Sequence, residues 1–291
     1  MSPAHPTTPT SAVLAISVES GRLAAGLVAD DGTVLVRDRV ATPARDVWRS
    51  LDRLIRRLLA ATPTGVEVAD IAAASVVGWV DAASGSVTPP HIPSWTGFPL
   101  RERLEEATGR RVVLDGAGAA AAEFERWIGE ARRTRSYVAI LADAVVESAA
   151  VLDTIRLSGS HGNAGSVAHI TVDPGGRQCW CGSLGCLDPY LSSMAIEAEI
   201  GRSIRQATPS IVERAGIMLG RAIASMAAML DVDRFYVSGG VIDVFGDALL
   251  DTCRDEIRLR SKLGPLAGLQ VIEPVEHVSP IVAAAALVMS R

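Results

Sequence analysis

The chain has 291 residues, a formal net charge of −5 and 48% hydrophobic residues, enough for one large domain or two medium ones with a sizeable core. The apolar excess is mostly alanine and valine, and no run of about 18 uncharged apolar residues occurs, so no membrane-spanning helix is expected. The mild acidity and the lack of a basic block argue against nucleic-acid binding by this chain alone.

Residues 1–11 are rich in proline and threonine and carry no basic leader segment, so a disordered tail is expected rather than a signal peptide. Residues 12–18, 23–28 and 34–36 are apolar runs separated by turns such as Asp30-Asp31-Gly32, which reads as two or three strands. Residues 46–61 place Val47, Leu51, Leu54, Ile55, Leu58 and Leu59 at helical spacing. A buried strand over 71–80, a proline-rich loop over 89–99, a short helix over 100–108, a strand over 112–114 and an alanine-rich helix over 116–128 follow. A second cycle opens at Tyr137 with strands to about residue 155, a glycine-containing loop over 158–165 and helices to Ile204. Next come a long helix over 210–230 and a strand over 234–237 that ends in Ser238-Gly239-Gly240. A helix that includes 248–260, a strand over 269–273 and an alanine-rich helix over 280–289 close the chain. Two successive blocks of strands and helices predict a two-lobed α/β protein with mixed sheets and a cleft between the lobes.

Three of the four cysteines, Cys179, Cys181 and Cys186, fall within eight residues, and His169 stands ten residues before the first. Three thiolates and one imidazole are a ligand set for one tetrahedral zinc ion. Gly182 and Gly185 let the chain double back so that sulfurs close in sequence face one metal. Such a set suits a reducing compartment, which points to the cytoplasm. Cys253, in the predicted helix over 248–260, reads as a buried small apolar residue.

The string from Gly162 to His169, the knuckle from Cys179 to Asp188, Val-Ser-Gly-Gly-Val at 237–241, Ile-Pro-Ser-Trp at 92–95 and the segment from Leu114 to Glu123 together resemble the ROK family of repressors, open reading frames and sugar kinases. The resemblance runs from about residue 12 to the end. It implies an α/β two-domain actin-like ATPase (ribonuclease H-like) fold with an interlobe cleft and a zinc knuckle. The expected lobes are 12–117 and 118–279, the knuckle lying in the second, with the C-terminal helix (280–291) folded back onto the first. It further implies a structural zinc held by His169, Cys179, Cys181 and Cys186, and Asp115 as the general base toward a sugar hydroxyl. Sugar contacts are expected from Asp115, Ser166, His169 and Asp188. His91 stands where the family has an asparagine, and His161 lies in the loop before the clamp; both also read as ordinary solvent-facing loop histidines. Asp115 is equally placed to cap the helix that follows it. Gly239 and Gly240 match the family's adenosine-side turn. Homodimers or homotetramers and a small carbohydrate-like ligand are the implied partners.

The phosphate cradles depart from the family pattern. The first reads Ser17-Val18-Glu19-Ser20-Gly21-Arg22, with Ser17 in place of an aspartate and Glu19-Ser20 in place of a glycine pair. The second reads Ala142-Asp143-Ala144-Val145-Val146-Glu147-Ser148, with every glycine gone and the acids Asp143 and Glu147 added. Carboxylates repel a polyphosphate at close range, and side chains block the backbone approach that glycines allow. The expectation is therefore a sugar-kinase-like protein without ATP-dependent kinase activity, acting in carbohydrate binding or regulation. Two alternatives stay open: a Mg-ATP-dependent sugar or cyclitol kinase with an altered phosphate site, and the effector or oligomerisation half of a transcriptional regulator. Family repressors carry a helix-turn-helix module ahead of this fold, whereas only eleven residues precede the first predicted strand here.

Overall fold

The computed structural model describes residues 10–275 and 279–290. The first half runs β1 (Thr10–Val18), β2 (Arg22–Ala29), β3 (Val34–Ala41), α1 (Val47–Ala60), β4 (Val66–Val76), the small hairpin β5 (Trp79–Asp81) and β6 (Ser86–Thr88), α2 (Leu100–Thr108) and β7 (Arg111–Gly116). Its five-stranded sheet has the order β3-β2-β1-β4-β7, antiparallel among the first three strands and parallel from β1 through β4 to β7. β1 and β2 are nearly continuous apolar runs because both faces of the sheet are covered. On one face α1 buries Val47, Leu51, Leu54, Ile55 and Leu58, the helical set expected from the sequence.

The second half runs α3 (Ala117–Trp127), β8 (Tyr137–Ala142), β9 (Val146–Leu152), β10 (Ile155–Arg156), α4 (Asp188–Leu191), α5 (Ser193–Ile200), α6 (Pro209–Leu230), β11 (Arg234–Ser238), α7 (Gly240–Arg260), β12 (Gln270–Ile272) and α8 (Pro280–Met289). Its sheet, β10-β9-β8-β11-β12, repeats the strand order and the antiparallel-then-parallel pattern of the first. This duplication is the two-domain actin-like ATPase arrangement expected above. α8 returns to pack on β1, β2 and β4 and against α3. Gly26 permits that approach, since a side chain there would start 2.9 Å from Ile281 Cγ2. A shared core of Val13, Ala73, Ala120, Tyr137, Tyr236, Ala283 and Leu287 joins the two halves through α3 and α8. Cys253 is fully buried, as expected.

Four expectations need correction. Thr10 and Ser11 belong to β1, paired with Val66 and Glu67, so they are not tail; residues 1–9 lie outside the described residues. The single strand expected over 71–80 is two elements, because Gly78 at φ 115° turns the chain from β4 into the β5–β6 hairpin. β3 continues through Arg37, Asp38 and Arg39 as an edge strand, where alternate residues face water and charge is tolerated. α7 starts at Gly240 and is interrupted at Gly246 (φ 53°), which hides its helical period.

Candidate functional site

The cysteine segment is held by a tight turn in which Cys179 N–H donates to Ser183 O (2.8 Å) and Gly182 N–H to Cys179 O (2.9 Å). Gly182 and Gly185 take φ values of 93° and 75°, and a side chain on Gly185 would strike the Asp173 carbonyl. All four expected ligands converge, their donor atoms lying within 4.8 Å of one another. Cys179 Sγ is 3.6 Å from His169 Nδ1, and Cys181 Sγ is 3.9 Å from Cys186 Sγ. A tetrahedron with Zn–S near 2.3 Å and Zn–N near 2.05 Å requires spacings of about 3.6 Å and about 3.8 Å for these pairs. The donor set therefore fits zinc, and all three cysteines are free thiols. The His169 ring also packs edge-on against Trp180, 5.1 Å away, and borders the interlobe space.

Beside the knuckle lies a small cavity of about 50 Å³ on the side where the resemblance places a sugar, bordered by Asp115, Glu147, Arg156, Asn163, Ser166 and His169. Asp115 sits at the end of β7. Its Oδ1 accepts from Gly116 N–H (2.8 Å) and its Oδ2 from Arg156 Nη2 (2.5 Å). Burial raises its pKa, and the Arg156 guanidinium opposes that rise. The expected cap role is not found: the residue capping α3 is Gly116, with no side-chain bond. Arg156 reaches Glu123 as well, at 3.4 Å, so one guanidinium ties two carboxylates at the floor of the cavity.

Glu147 departs furthest from expectation. Placed by its motif among the phosphate-binding residues, it instead faces the sugar-side cavity from β9. Its Oε1 accepts from Gly78 N–H (2.7 Å) across the lobes, and the N–H of Gly118 at the start of α3 also donates to it. The carboxylate thus occupies the positive end of α3. Burial pushes its pKa up to about 8. Beside it the loop over 158–165 closes on the β5–β6 hairpin: Asn163 Nδ2 donates to Val80 O (2.8 Å) and Ala82 N–H to His161 O (3.3 Å). A space of 50 Å³ accommodates only a water or two, far below the several hundred cubic ångströms of a small-molecule pocket. At its mouth stand Trp79 and Trp180, 45% and 42% exposed.

Two expected sugar contacts lie elsewhere. Asp188 is 3% exposed and does not border the cavity. Its Oδ1 accepts from Val146 N–H (2.8 Å) and its Oδ2 from Ser192 Oγ (3.3 Å), tying the β8–β9 turn to α4. Burial pushes it up to about 6. His91 is tucked against the backbone of Glu19, where burial lowers its pKa, and it does not border the cavity either. The missed residues are Arg156, Trp79 and Trp180; the β9–β10 hairpin brings Arg156 across to Asp115, a pairing that no local spacing encodes.

A larger cleft of about 390 Å³ opens at the C-terminal ends of β1 and β8, lined by Ser17, Glu19, Ser20, Asp143 and Gly239, with Asp243 from α7. It is where the resemblance places nucleotide phosphates. Burial raises the Glu19 pKa, with Arg22 opposing and Asp143 adding to the rise; burial also raises Asp143, with Asp243 adding. Gly239 (φ 110°) needs to be glycine, since a side chain there would start 2.4 Å from Ala142 O. Asp143 Oδ1 lies 3.3 Å from where a side chain on Gly240 would begin, so it sits at the first turn of α7, in the short segment that precedes the break at Gly246. Such a helix end ordinarily attracts a phosphate. Here a resident carboxylate is already beside it.

The sequence model of the ROK family matches residues 13–289. The chain is 24% identical to N-acetylmannosamine kinase of Haemophilus influenzae (strain PittEE) over 243 residues, 78% of this chain and 80% of that one. It is 28% identical to glucokinase of Thermotoga maritima over 210 residues, 70% of this chain and 64% of that one. Among solved structures, a ROK-family transcriptional regulator homologous to the E. coli MLC protein superposes with a TM-score of 0.84 at 24% identity, covering 97% of this chain and 78% of the other. A ROK-family glucokinase from Streptomyces griseus, solved with glucose and AMPPNP, superposes with a TM-score of 0.78 at 23% identity, covering 95% and 98%. These relatives are sugar kinases and a transcriptional regulator, the shared fold is the actin-like ATPase, and no helix among the described residues is long and apolar enough to cross a membrane. The chain belongs to the ROK family.

Proposed function

We propose that this chain is a sugar-kinase homologue that does not transfer phosphate from Mg-ATP and serves as a carbohydrate-binding or regulatory protein. One observation carries the reading: Asp143, an acid of the second cradle, sits at the start of α7 and lines the cleft where the resemblance places the phosphates. A polyphosphate entering there would have to displace or oppose it, with Glu19 adding a second acid in the same lining. These residues do not fit a triphosphate. On the sugar side, Trp79 and Trp180 offer ring faces at the mouth and Asn163, Ser166 and His169 offer polar contacts. A hexose would require the loop over 158–165 to withdraw from Val80 and Ala82. Zinc on His169, Cys179, Cys181 and Cys186 would have no open coordination position; it supplies rigidity to the loop that carries His169.

A kinase is the second reading, favoured by Asp115 at the end of β7 and by the intact Gly239-Gly240 turn. Sugar-dependent ADP release separates the two. The zinc-loaded protein is assayed with Mg-ATP against glucose, mannose and N-acetylmannosamine, beside Asp115→Asn. No release above the Asp115→Asn background is the result expected; turnover that Asp115→Asn abolishes would establish the kinase.

A further inference from the structure

We infer that the sugar-side cavity is sealed by the protein itself: the second lobe grips the free edge of the β5–β6 hairpin, Glu147 pins the seal, and a ligand enters only when Glu147 and Asn163 let go. This builds on the reading of that cavity as the carbohydrate side. β5 pairs with β6 along one edge only. Its outer edge presents backbone groups of the alternate residues Gly78, Val80 and Ala82, and the second lobe engages each of them. Gly78 N–H donates to Glu147 Oε1 (2.7 Å), Asn163 Nδ2 donates to Val80 O (2.8 Å) and Ala82 N–H donates to His161 O (3.3 Å). An open strand edge is a template for pairing, and here the partner is the opposite lobe of the same chain.

Both sides of the seal are anchored in their own lobes. Arg101 of α2 holds the hairpin to the first lobe, its Nη2 donating to Ala82 O (2.8 Å). Ser148, next to Glu147 on β9, holds the root of the loop over 158–165: its Oγ donates to Gly165 O and accepts from Val167 N–H, each at 2.7 Å. The loop lies close on the hairpin because residue 162 is glycine; a side chain there would start 2.7 Å from Ala82 Cβ. The hairpin therefore moves with one lobe and the loop with the other, and the bonds at 78, 80 and 82 are where the two part. Glu147 also fills ground that a ligand needs. Its Oε2 lies 3.7 Å from where a side chain on Gly116 would begin, beside Asp115. With the seal made, about 50 Å³ remains, less than a pyranose requires, so seal and sugar exclude one another. Apparent affinity then falls by the fraction of molecules that are open.

Hydrogen–deuterium exchange and calorimetry on the zinc-loaded protein test this with Glu147→Ala, Asn163→Ala and Glu147→Gln. The amides of Gly78 and Ala82 should exchange at least about tenfold faster in the two alanine variants than in wild type, while β8 stays protected. Each alanine variant should also bind one of glucose, mannose or N-acetylmannosamine about tenfold more tightly than wild type does. Glu147→Gln keeps an acceptor for Gly78 N–H and should match wild type in both measurements. Asn163 lies in a loop, so Asn163→Ala keeps the test readable if Glu147→Ala does not fold. Unchanged exchange at Gly78 and Ala82 in the alanine variants would overturn the seal. Equal sugar affinity in wild type and the alanine variants would overturn its role as a gate. Faster exchange with no sugar bound by any of these proteins would overturn the gate together with the carbohydrate reading beneath it.

Discussion

Replacing Glu147 with glutamine perturbs a buried carboxyl that bridges the two lobes through Gly78 N–H. In the folded protein this carboxyl is pushed from an ordinary 4.5 to about 8, chiefly by burial. The folded state therefore holds the proton more tightly than the unfolded chain, so stability is greatest while Glu147 is protonated and declines as pH rises toward 8. At about 1.4 kcal/mol per pH unit the full shift corresponds to about 5 kcal/mol, and water in the adjoining cavity reduces this to about 3 kcal/mol. For a chain of this size that is a fall in Tm of about 6–12 °C between pH 4 and pH 9. Asp188, Asp115, Glu19 and Asp143 are shifted in the same direction, so wild type alone does not isolate Glu147. The informative quantity is the difference between wild-type and Glu147→Gln thermal scans, with zinc supplied throughout. Glutamine keeps an acceptor for Gly78 N–H but does not ionise, so the variant should lose most of the decline between pH 6 and 8 and be the more stable protein at pH 9. Parallel curves for the two proteins would refute the placement of Glu147 as an enclosed, proton-holding contact between lobes.

Cys181→Ser should bring zinc from near one equivalent to a small fraction by elemental analysis and lower the Tm, because metal binding stabilises only the folded knuckle; a metal-free native protein of undiminished stability would refute the site. Arg156→Ala leaves Asp115 and Glu123 without their shared cation; a loss of about 2 kcal/mol in urea unfolding is expected, together with a rise in the Asp115 pKa by NMR titration. Gly239→Ala forces a side chain into a left-handed backbone 2.4 Å from Ala142 O and should cost about 3 kcal/mol by the same unfolding measurement.

The fold was readable where local pattern and tertiary role agree. Val47, Leu51, Leu54 and Leu58 mark α1 by period alone, and the knuckle's four candidate ligands stand out by their spacing and converge in the fold. Reading failed where tertiary context reversed a local cue. Charged Arg37, Asp38 and Arg39 argue against a strand until the position of β3 at the sheet edge is known. Glu147 is two residues into β9, and strand alternation with the lobe closure, rather than the cradle motif, decides which cavity it meets. Asp188 looks like a sugar ligand in sequence but is engaged by Val146 and Ser192, two contacts made only by the folded turn. Arg156 carries no motif at all; its role comes from a hairpin that crosses to β7.

Calorimetric titration of the zinc-loaded protein with millimolar Mg-AMPPNP, with and without glucose, tests the central claim most directly. The acids Asp143 and Glu19 in the larger cleft predict no saturable heat under either condition. A one-to-one isotherm with a micromolar Kd would contradict it and return the chain to the ATP-dependent sugar kinases.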